Sequence, residues 1–266
     1  MSYLSRIDRA FSDAPVLPLS ENGRYVIFSD CHRGIGTSND NFLKNQHLYF
    51  AALNYYYQHS FCYIELGDGD ELWENRSFSA IQNIHSNVFW LLSLFYEEHR
   101  LFMLFGNHDI AKKDFHPFSD CCFHEGLRLK DCVTGQELYL THGHQADFFN
   151  STLWRLSCFL VRYLWKPLEQ FGVLDPTSAA KNYKVKNKTE RRLQEWTKIH
   201  KKILITGHTH RPVLGSKDSL YFNTGSCVHP RCIGSSGIVF SEMDTLHQTG
   251  PYSLCRKRSA CRPGRT

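Results

Sequence analysis

Short runs of apolar residues recur along the chain, and each of them ends in a polar loop that contains glycine. The runs are rich in β-branched and aromatic residues and are too short to form helices, which favours buried strands. We therefore predict strands at residues 24–29, 61–66, 100–105, 137–141, 203–206, 219–223 and 237–241.

Helical patterns separate the early strands. Apolar residues return at intervals of three and four over residues 39–59 and about 78–99, as on one face of a helix. Strands that alternate with helices favour βαβ units and a parallel sheet. The later strands have short connections, and we expect them to be antiparallel. The pattern as a whole predicts one mixed α/β domain over residues 1–244, with two packed sheets.

One segment, residues 145–202, interrupts this alternation. Its first half carries leucines at helical spacing together with several aromatic residues. Its second half is basic, since residues 178–202 hold nine Lys and Arg against two Glu. We predict that the segment is a helical insertion, or cap. The alternative is that its apolar residues pack on the domain and its charges form a solvated surface.

Composition and charge narrow the class of protein. The 266 residues are 42% hydrophobic and 21% charged, which is enough to build a core and excludes wholesale disorder. The net charge is +5, but five basic residues and no acid lie after residue 244, so residues 1–244 are neutral overall. A neutral body argues against a general nucleic-acid binder. We expect residues 245–266 to form a basic, disordered tail.

The cysteines and the apolar segments indicate a compartment. The ten Cys are scattered without a CxxC pair, the N-terminal residues lack a secretory signal, and no apolar run reaches the roughly 18 residues of a membrane span. We therefore expect a cytoplasmic protein with reduced thiols.

Polar side chains that can bind a metal ion follow five of the predicted strands. They are Asp30 and His32, then Asp68, Asp70 and Glu71, then Asn107, His108 and Asp109, then His142 and His144, and last His208 and His210. Ligands of open α/β sheets collect at the carboxyl ends of the strands, so we expect these groups to converge. Each motif alone is more often a capped turn, but five in succession indicate a metal site.

The chemistry of this set favours two ions. Carboxylates and imidazoles without a thiolate suit Mn²⁺, Fe or Zn²⁺. A set of this size exceeds what one ion needs, so two ions that share a carboxylate are the simplest arrangement. Such a pair clamps the attacking and leaving oxygens of a phosphoryl displacement and supplies hydroxide near neutral pH.

The motifs DxH, GDxxE, GNHD, HGH and GHTH, in this order and followed by NTGS at 223–226, resemble those of the calcineurin-like metallophosphoesterase superfamily. The resemblance implies a four-layer α/β/β/α sandwich with a dinuclear site, most often with Mn²⁺. It implies a general acid, His108, and an orienting carboxylate, Glu71, with Asp70 or Asp109 as alternatives. The metal ligands that it implies are Asp30, His32 and His210 for the first ion, Asn107, His142 and His208 for the second, and Asp68 between them.

The cap segment and the GHTHRP motif after it resemble those of UDP-2,3-diacylglucosamine hydrolases, in which a helical cap covers a lipid substrate. An aromatic helix next to a basic one suits an acyl group, phosphates or contact with the inner membrane surface. The chain departs from that branch at His108, where those enzymes have Arg, and at His144, which becomes an extra candidate ligand. A related phosphoesterase with another substrate is the alternative.

The sequence thus predicts a metal-dependent hydrolase of a phosphate ester or diphosphate bond, with a lipid-linked or nucleotide substrate. Asn107 would bear developing charge with the metals, and His108 would protonate the leaving group. Arg33 and Arg211 flank the ligands and are predicted to steady a phosphate. The alternatives are a protein or small-molecule phosphomonoesterase, a nuclease, which the neutral body disfavours, and an inactive scaffold, which the complete ligand set disfavours.

Overall fold

A computed structural model describes residues 1–20, 23–37, 40–114, 118, 123–165, 168, 180, 182–214, 219–228 and the backbone of 237–240. These residues form ten strands and seven α-helices. The strands are β1 Val16–Leu19, β2 Tyr25–Phe28, β3 Cys62–Leu66, β4 Leu101–Leu104, β5 Phe123–His124, β6 Gly126–Asp131, β7 Glu137–Thr141, β8 Ile203–Thr206, β9 Tyr221–Asn223 and β10 Gly237–Phe240. The helices are α1 Tyr3–Ala10, α2 Gln46–Gln58, α3 Phe78–Ile84, α4 Ser86–Glu97, α5 Phe148–Ser151, α6 Trp154–Leu160 and α7 Tyr183–His200.

The strands form two five-stranded sheets. In the first, with the order β10-β2-β3-β4-β5, strands β2 to β5 are parallel and β10 is antiparallel to β2. In the second, with the order β1-β6-β7-β8-β9, only β6 and β7 are antiparallel. The expectation of antiparallel later strands is therefore wrong for β7, β8 and β9, because the connections between them cross over and return each strand in the same direction.

The apolar side chains define four layers. Strand residues alternate between the two faces of a sheet, so Val26 and Ile27 on β2 belong to different cores. One core lies between the sheets and includes Ile27, Ile64, Leu104, Leu127, Leu140 and Ile205. A second core packs α2, α3 and α4 on the outer face of the first sheet, through Leu53, Ile81, Leu92 and Phe95. A third packs α1 and α7 on the second sheet, through Ile7, Leu193 and Trp196. The predicted α/β/β/α sandwich is confirmed.

The predicted cap segment, 145–202, has two different halves. Its basic half forms α7, whose Leu193 and Trp196 are buried against the second sheet. Trp196 Nε1 also donates a hydrogen bond to Asp8 Oδ1 at 2.8 Å. This half is therefore the crossover helix between β7 and β8 and part of the outer helical layer, not an insertion, because an amphipathic helix of this length covers the sheet.

The aromatic half of the segment consists of α5, α6 and a π-helical turn at Val161–Trp165. Several of its large apolar side chains remain about half exposed, namely Phe148, Phe149, Leu156, Phe159, Tyr163 and Leu164. Arg162 fastens this half to the body by donating from Nε to Trp73 O at 2.7 Å and from Nη2 to Leu72 O at 2.8 Å. For this half, the cap stays a prediction.

Other elements differ from expectation at their ends. Residues 39–59 contain a 3₁₀ turn at Asn41–Lys44 before α2, and residues 78–99 are divided into α3 and α4 at His85. His85 Nε2 lies 2.9 Å from Asp40 Oδ2, which draws the chain inward at this point. The predicted tail, 245–266, lies outside the described residues. None of the helices that the structure describes is long and apolar enough to cross a membrane.

Candidate metal centre

The residues that follow β2, β3 and β8 share an unusual backbone conformation. Five candidate ligands have a positive φ, which side-chain-bearing residues rarely adopt, namely Asp30 at 54°, His32 at 47°, Asp68 at 50°, His208 at 68° and His210 at 55°. Such a conformation costs roughly 1–2 kcal/mol per residue. Strain of this kind persists where the surrounding structure imposes it, and it concentrates at functional sites. The five residues lie together beyond the carboxyl ends of these strands.

Gly67 allows the loop after β3 to approach its neighbours. Its φ is 84°, and a Cβ at this position would lie 2.7 Å from both His142 Nδ1 and the backbone N of Gly106. Only glycine fits between them. The close approach brings Asp68 beside the loops that carry Asn107 and His142.

The first group of ligands consists of Asp30, His32 and His210. His210 Nε2 lies 3.1 Å from Asp30 Oδ1 and 3.2 Å from His32 Nε2. Two imidazole nitrogens and a carboxylate oxygen thus lie close enough together to bind one divalent cation. The group combines N and O donors without a thiolate, as the sequence predicts.

The second group consists of Asp68, His142 and His208, all buried. His142 Nε2 lies 3.1 Å from Asp68 Oδ2, but the two atoms are not in hydrogen-bonding geometry. Three buried polar atoms on this side of the site have no hydrogen-bond partner among the described residues, namely His142 Nε2, His208 Nε2 and Asn107 Oδ1. Buried polar atoms are nearly always satisfied, so three orphans together fit the donor set of an absent cation.

Asp68 connects the two groups. Its Oδ2 is 3.8 Å from His32 Nε2 as well as 3.1 Å from His142 Nε2. Its Oδ1 accepts the backbone N–H of His108 at 2.8 Å, which holds the carboxylate in place. Burial opposes ionisation of Asp68, but the imidazoles of His142, His108 and His32 hold its pKa well below the ordinary value. It is therefore a carboxylate shared by both groups.

Hydrogen bonds set the tautomers of two ligand histidines. His32 Nδ1 lies 2.9 Å from Glu71 Oε2, and His142 Nδ1 lies 2.9 Å from Leu66 O. A carboxylate and a carbonyl can only accept, so Nδ1 donates in both cases and the lone pair is left on Nε2. Burial disfavours the charged form of His142, yet Asp68 and Asp30 raise its pKa to about 9. A cation bound at this nitrogen would displace that proton.

His108 lies beside the first group and remains within reach of solvent, with 22% of its side chain exposed. Its Nδ1 lies 2.7 Å from Glu71 Oε1, and its ring stacks on Trp73 with centroids 4.4 Å apart. Burial favours the neutral ring, but the carboxylates of Glu71 and Asp68 raise the pKa of His108 above its ordinary value. The arrangement favours the protonated form of this imidazole next to the candidate metal centre.

The alternatives for the orienting carboxylate are occupied elsewhere. Asp109 accepts the backbone N–H groups of Gly106 at 2.7 Å, Asp68 at 3.1 Å and Gly69 at 3.0 Å. Asp70 Oδ1 accepts from Arg33 Nε at 2.6 Å. Glu71 is therefore the residue that contacts His108, and its longer arm allows it to contact His32 as well.

Arg33 is not a substrate-binding residue, which corrects the sequence-based prediction. Its side chain is completely buried, and its guanidinium donates two hydrogen bonds of 2.8 Å to Glu65 besides the one to Asp70. Lys112, also completely buried, lies 2.8 Å from Asp109 Oδ2 and 2.5 Å from Asp70 Oδ2. Arg33 thus neutralises carboxylates behind the site. Glu65, Asp70 and Asp109 lie close enough together to hold a metal ion, but Arg33 and Lys112 already neutralise them.

The remaining predicted residues lie around the ligand groups. Arg211 is 43% exposed and forms an ion pair with Glu190 of α7, so its contact with a phosphate stays a prediction. His144 belongs to neither ligand group, although its ring centroid is 5.6 Å from that of His142. The loop after β9 contacts the backbone of the site, since Ser226 Oγ donates a hydrogen bond to Asp30 O at 3.1 Å.

Sequence reasoning missed Trp73 and the second contact of Glu71. Trp73 is buried, stacks on His108 and offers its backbone carbonyl to Arg162. An aromatic residue two positions after the GDxxE glutamate was the only signal for it. The contact between Glu71 and His32 had no signal in sequence spacing, because it depends on which way each ring turns.

Comparisons with known proteins add little to this geometry. No protein-family model matches the chain, and no curated protein matches it. Among solved structures, the chain is similar to a conserved uncharacterized protein from Streptococcus pneumoniae TIGR4 that is described as a predicted phosphoesterase. The two are 16% identical, the match covers 77% of this chain and 72% of the other, and the TM-score is 0.35. We therefore infer function from the residues of this chain.

Proposed function

We propose that the protein is a phosphoesterase that depends on two divalent metal ions and hydrolyses a phosphate ester or diphosphate bond. The observation that carries the proposal is the pair of adjacent ligand groups that share Asp68, whose Oδ2 lies within 4 Å of His32 Nε2 and His142 Nε2. Two-metal sites built from imidazoles and carboxylates are typical of phosphoryl hydrolysis.

The donor set supports two ions without Cys ligation. Asp30, His32 and His210 would hold one, Asn107, His142 and His208 would hold the other, and Asp68 would contact both. Oxygen and imidazole donors favour Mn²⁺, with Fe or Zn²⁺ as alternatives. When bound, two such ions act as Lewis acids on a phosphate and make water a nucleophile near neutral pH.

His108 would supply the proton that the leaving oxygen needs. Its Nδ1 is engaged by Glu71, so Nε2 is the atom that can donate. Trp73 stacks on the ring and, together with Glu71, fixes its orientation. A positioned acid of this kind contributes about 10²–10⁴ in rate. The amide of Asn107 would add a dipole beside the same phosphate.

The exposed apolar side chains of α5 and α6 favour a substrate with an apolar part. Phe149 is 50% exposed and Phe159 is 57% exposed, and the turn after α6 is fastened by Arg162 to the carbonyl of Trp73, the residue that stacks on His108. Exposed apolar side chains on a segment that is fastened to Trp73 suit an acyl chain or a nucleobase. We therefore favour a lipid-linked or nucleotide phosphate of the UDP-diacylglucosamine type over a protein or small phosphomonoester.

The test is hydrolysis by the purified full chain with and without Mn²⁺. The substrates are p-nitrophenyl phosphate, its bis ester and a nucleoside diphosphate lipid. We expect Mn²⁺-dependent release of product, with kcat/KM highest for the lipid substrate. Absence of hydrolysis of all three esters by a chain that binds two ions would contradict the proposal. Cleavage of single-stranded DNA at a comparable rate would favour the nuclease instead.

A further inference from the structure

A cavity of about 140 Å³ opens next to the second ligand group, between α1, the loop after β4, the turn after β7 and α6. A single water needs only about 10–15 Å³ of such space, so the cavity has room for a tetrahedral oxyanion. None of the residues of the two ligand groups lines it. Its walls include Arg6, Arg9, Lys113, Glu125, His144 and Trp154.

Three of the ten residues that line the cavity are cations, and one is an acid. Arg6, Arg9 and Lys113 face a single acid, Glu125, whose Oε1 already accepts from Gln145 Nε2 at 3.2 Å. No carboxylate of the described residues lies within salt-bridge distance of these three cations. Burial, and then the positive charges of Arg192 and Arg9, lower the pKa of Arg6, whereas Asp147 raises it. The cavity is therefore a region of positive potential without a resident counter-ion.

Two of the wall side chains are buried and incompletely bonded. Arg6 is 5% exposed, and its Nε and Nη1 donate to Gln145 O at 2.8 Å and Met1 O at 3.0 Å, whereas its Nη2 donates to no described residue. His144 is 2% exposed, and its Nδ1 has no hydrogen-bond partner among the described residues. The buried Nδ1 of His144 is a polar atom that a ligand in the cavity would satisfy, and Arg6 Nη2 can donate to an acceptor oxygen of that ligand.

The position of His144 links the cavity to the candidate metal centre. Its ring centroid is 5.6 Å from that of His142 and 6.4 Å from that of His208. One side chain therefore separates the cavity from the second ligand group. A substrate that extends past His144 would carry a second group into the cavity while its scissile phosphate stays at the metals.

We propose that this cavity is an anion-binding subsite that takes a second phosphate group of the substrate. Arg6, Arg9 and Lys113 supply three cations to its lining. The substrate class is thus a compound with two separate phosphates, of which only one phosphorus reacts. The inference rests on the proposed function where it places the reacting phosphate at the metals. Binding of an anion in the cavity does not depend on that function.

The binding test uses inorganic phosphate and the full chain freed of divalent ions, measured by isothermal titration calorimetry. The variant is R9M/K113M, which removes two exposed cations of the cavity. Arg6 is kept because its bonds to two backbone carbonyls support the fold. The control is K44M/K130M, which removes the same charge from exposed positions outside the cavity. We expect phosphate affinity to fall at least tenfold in the cavity variant and less than twofold in the control.

Equal affinity in the two variants, or no phosphate binding by the wild-type chain, would overturn the proposal. A kinetic arm identifies the source of the anion with the Mn²⁺-loaded protein, p-nitrophenyl phosphate and fructose 1,6-bisphosphate. If the second phosphate belongs to the substrate, the cavity variant raises KM for the bisphosphate at least fivefold more than KM for the monophosphate. If both KM values change in parallel and free phosphate alters kcat of the wild-type chain only, a substrate-borne phosphate is contradicted. A chain that hydrolyses neither compound contradicts the proposed function, while the calorimetry still decides the subsite.

Discussion

Glu71 holds His108 and His32 with its two carboxylate oxygens, accepting from His108 Nδ1 at 2.7 Å through Oε1 and from His32 Nδ1 at 2.9 Å through Oε2. One side chain thus orients both the candidate acid and a candidate metal ligand. Desolvation opposes its ionisation, but the two imidazoles hold the pKa of Glu71 below its ordinary value. An Asp would reach one methylene less far, so the glutamate permits a double contact.

Replacement of His108 by Ala should lower kcat for p-nitrophenyl phosphate by about 10²–10⁴, the usual contribution of a positioned acid. Metal content should be unchanged, because His108 lies outside the group of Asp30, His32 and His210 and outside that of Asp68, His142 and His208. It clusters with His32 only through Glu71, whose two oxygens are already hydrogen-bonded to the Nδ1 atoms of both rings. The control is H47A, which removes an exposed histidine from α2. The measurements are steady-state kinetics and metal analysis by mass spectrometry. A rate within threefold of wild type would exclude His108 as the acid.

The variant E71Q should change the pH dependence of kcat/KM. His108 acts while protonated, so activity falls as pH rises through its pKa, which the charge of Glu71 raises in the wild-type protein. Glutamine removes that charge, so the alkaline limb should move to lower pH by about one unit or more. The exposed Glu97 of α4 supplies the control, E97Q. An alkaline limb at the same pH in E71Q would show that another group sets it.

The variant D68N should bind fewer metal ions. The carboxylate contacts both ligand groups, and an amide carries neither its charge nor two equivalent oxygens. We expect two Mn²⁺ per chain in the wild type and one or none in the variant, measured by equilibrium dialysis. Asp131, at the end of β6, gives the control D131N, which should retain two ions. Since Asp68 and Asp30 raise the pKa of His142 to about 9, wild-type affinity should also weaken as pH falls from 9 to 6, because protons compete for Nε2.

Much of the fold follows from local pattern. All seven predicted strands exist, because runs such as Tyr25–Phe28 and Ile203–Thr206 consist mostly of β-branched and aromatic residues and are buried on both faces. The strand-end motifs predicted which side chains converge, since a polar residue at the end of a buried strand has few other places to lie. The predicted antiparallel direction of β7, β8 and β9 was wrong, because the direction of a strand depends on how its connection crosses the sheet.

Residue type did not reveal the partners of the buried charges. Arg33 next to His32 looks like a phosphate ligand in sequence, but two carboxylates from β3 and its loop surround it inside the protein. Likewise Glu71 and Asp109 have the same formal charge and similar positions, yet one contacts His108 and the other binds backbone amides. These differences depend on side-chain direction, which spacing along the chain does not specify.

Stability should depend on pH through Asp40. Its Oδ2 lies 2.9 Å from His85 Nε2 and accepts the backbone N–H of Gly36 at 3.0 Å. Burial opposes its ionisation, but these bonds lower the pKa of Asp40 below its ordinary value. A carboxyl whose pKa is depressed in the folded state stabilises the protein at pH values above its unfolded pKa of about 3.9. That stabilisation disappears as the pH falls through the folded pKa.

The variant D40N should therefore lower the free energy of unfolding at pH 7 by about 1–3 kcal/mol, the usual cost of removing a partner from a buried polar group. The difference from wild type should become smaller as pH falls below 4. Urea denaturation at pH 7 and at pH 3 measures it, with the exposed Asp13 supplying the control D13N. A difference that is the same at both pH values would contradict the assigned charge of Asp40.

The variant K112M should destabilise the protein strongly, whereas K113M should not. Lys112 is completely buried between Asp70 and Asp109, and its removal leaves three buried carboxylates with Arg33 alone. Breaking a buried ion pair costs about 3–5 kcal/mol, because the remaining charge stays desolvated. Lys113 is the next residue and is exposed, so its loss should change the free energy of unfolding by less than about 0.5 kcal/mol. Urea denaturation of both variants measures the contrast, and equal losses of stability would show that the buried network does not support the loops that carry Asp68 and His108.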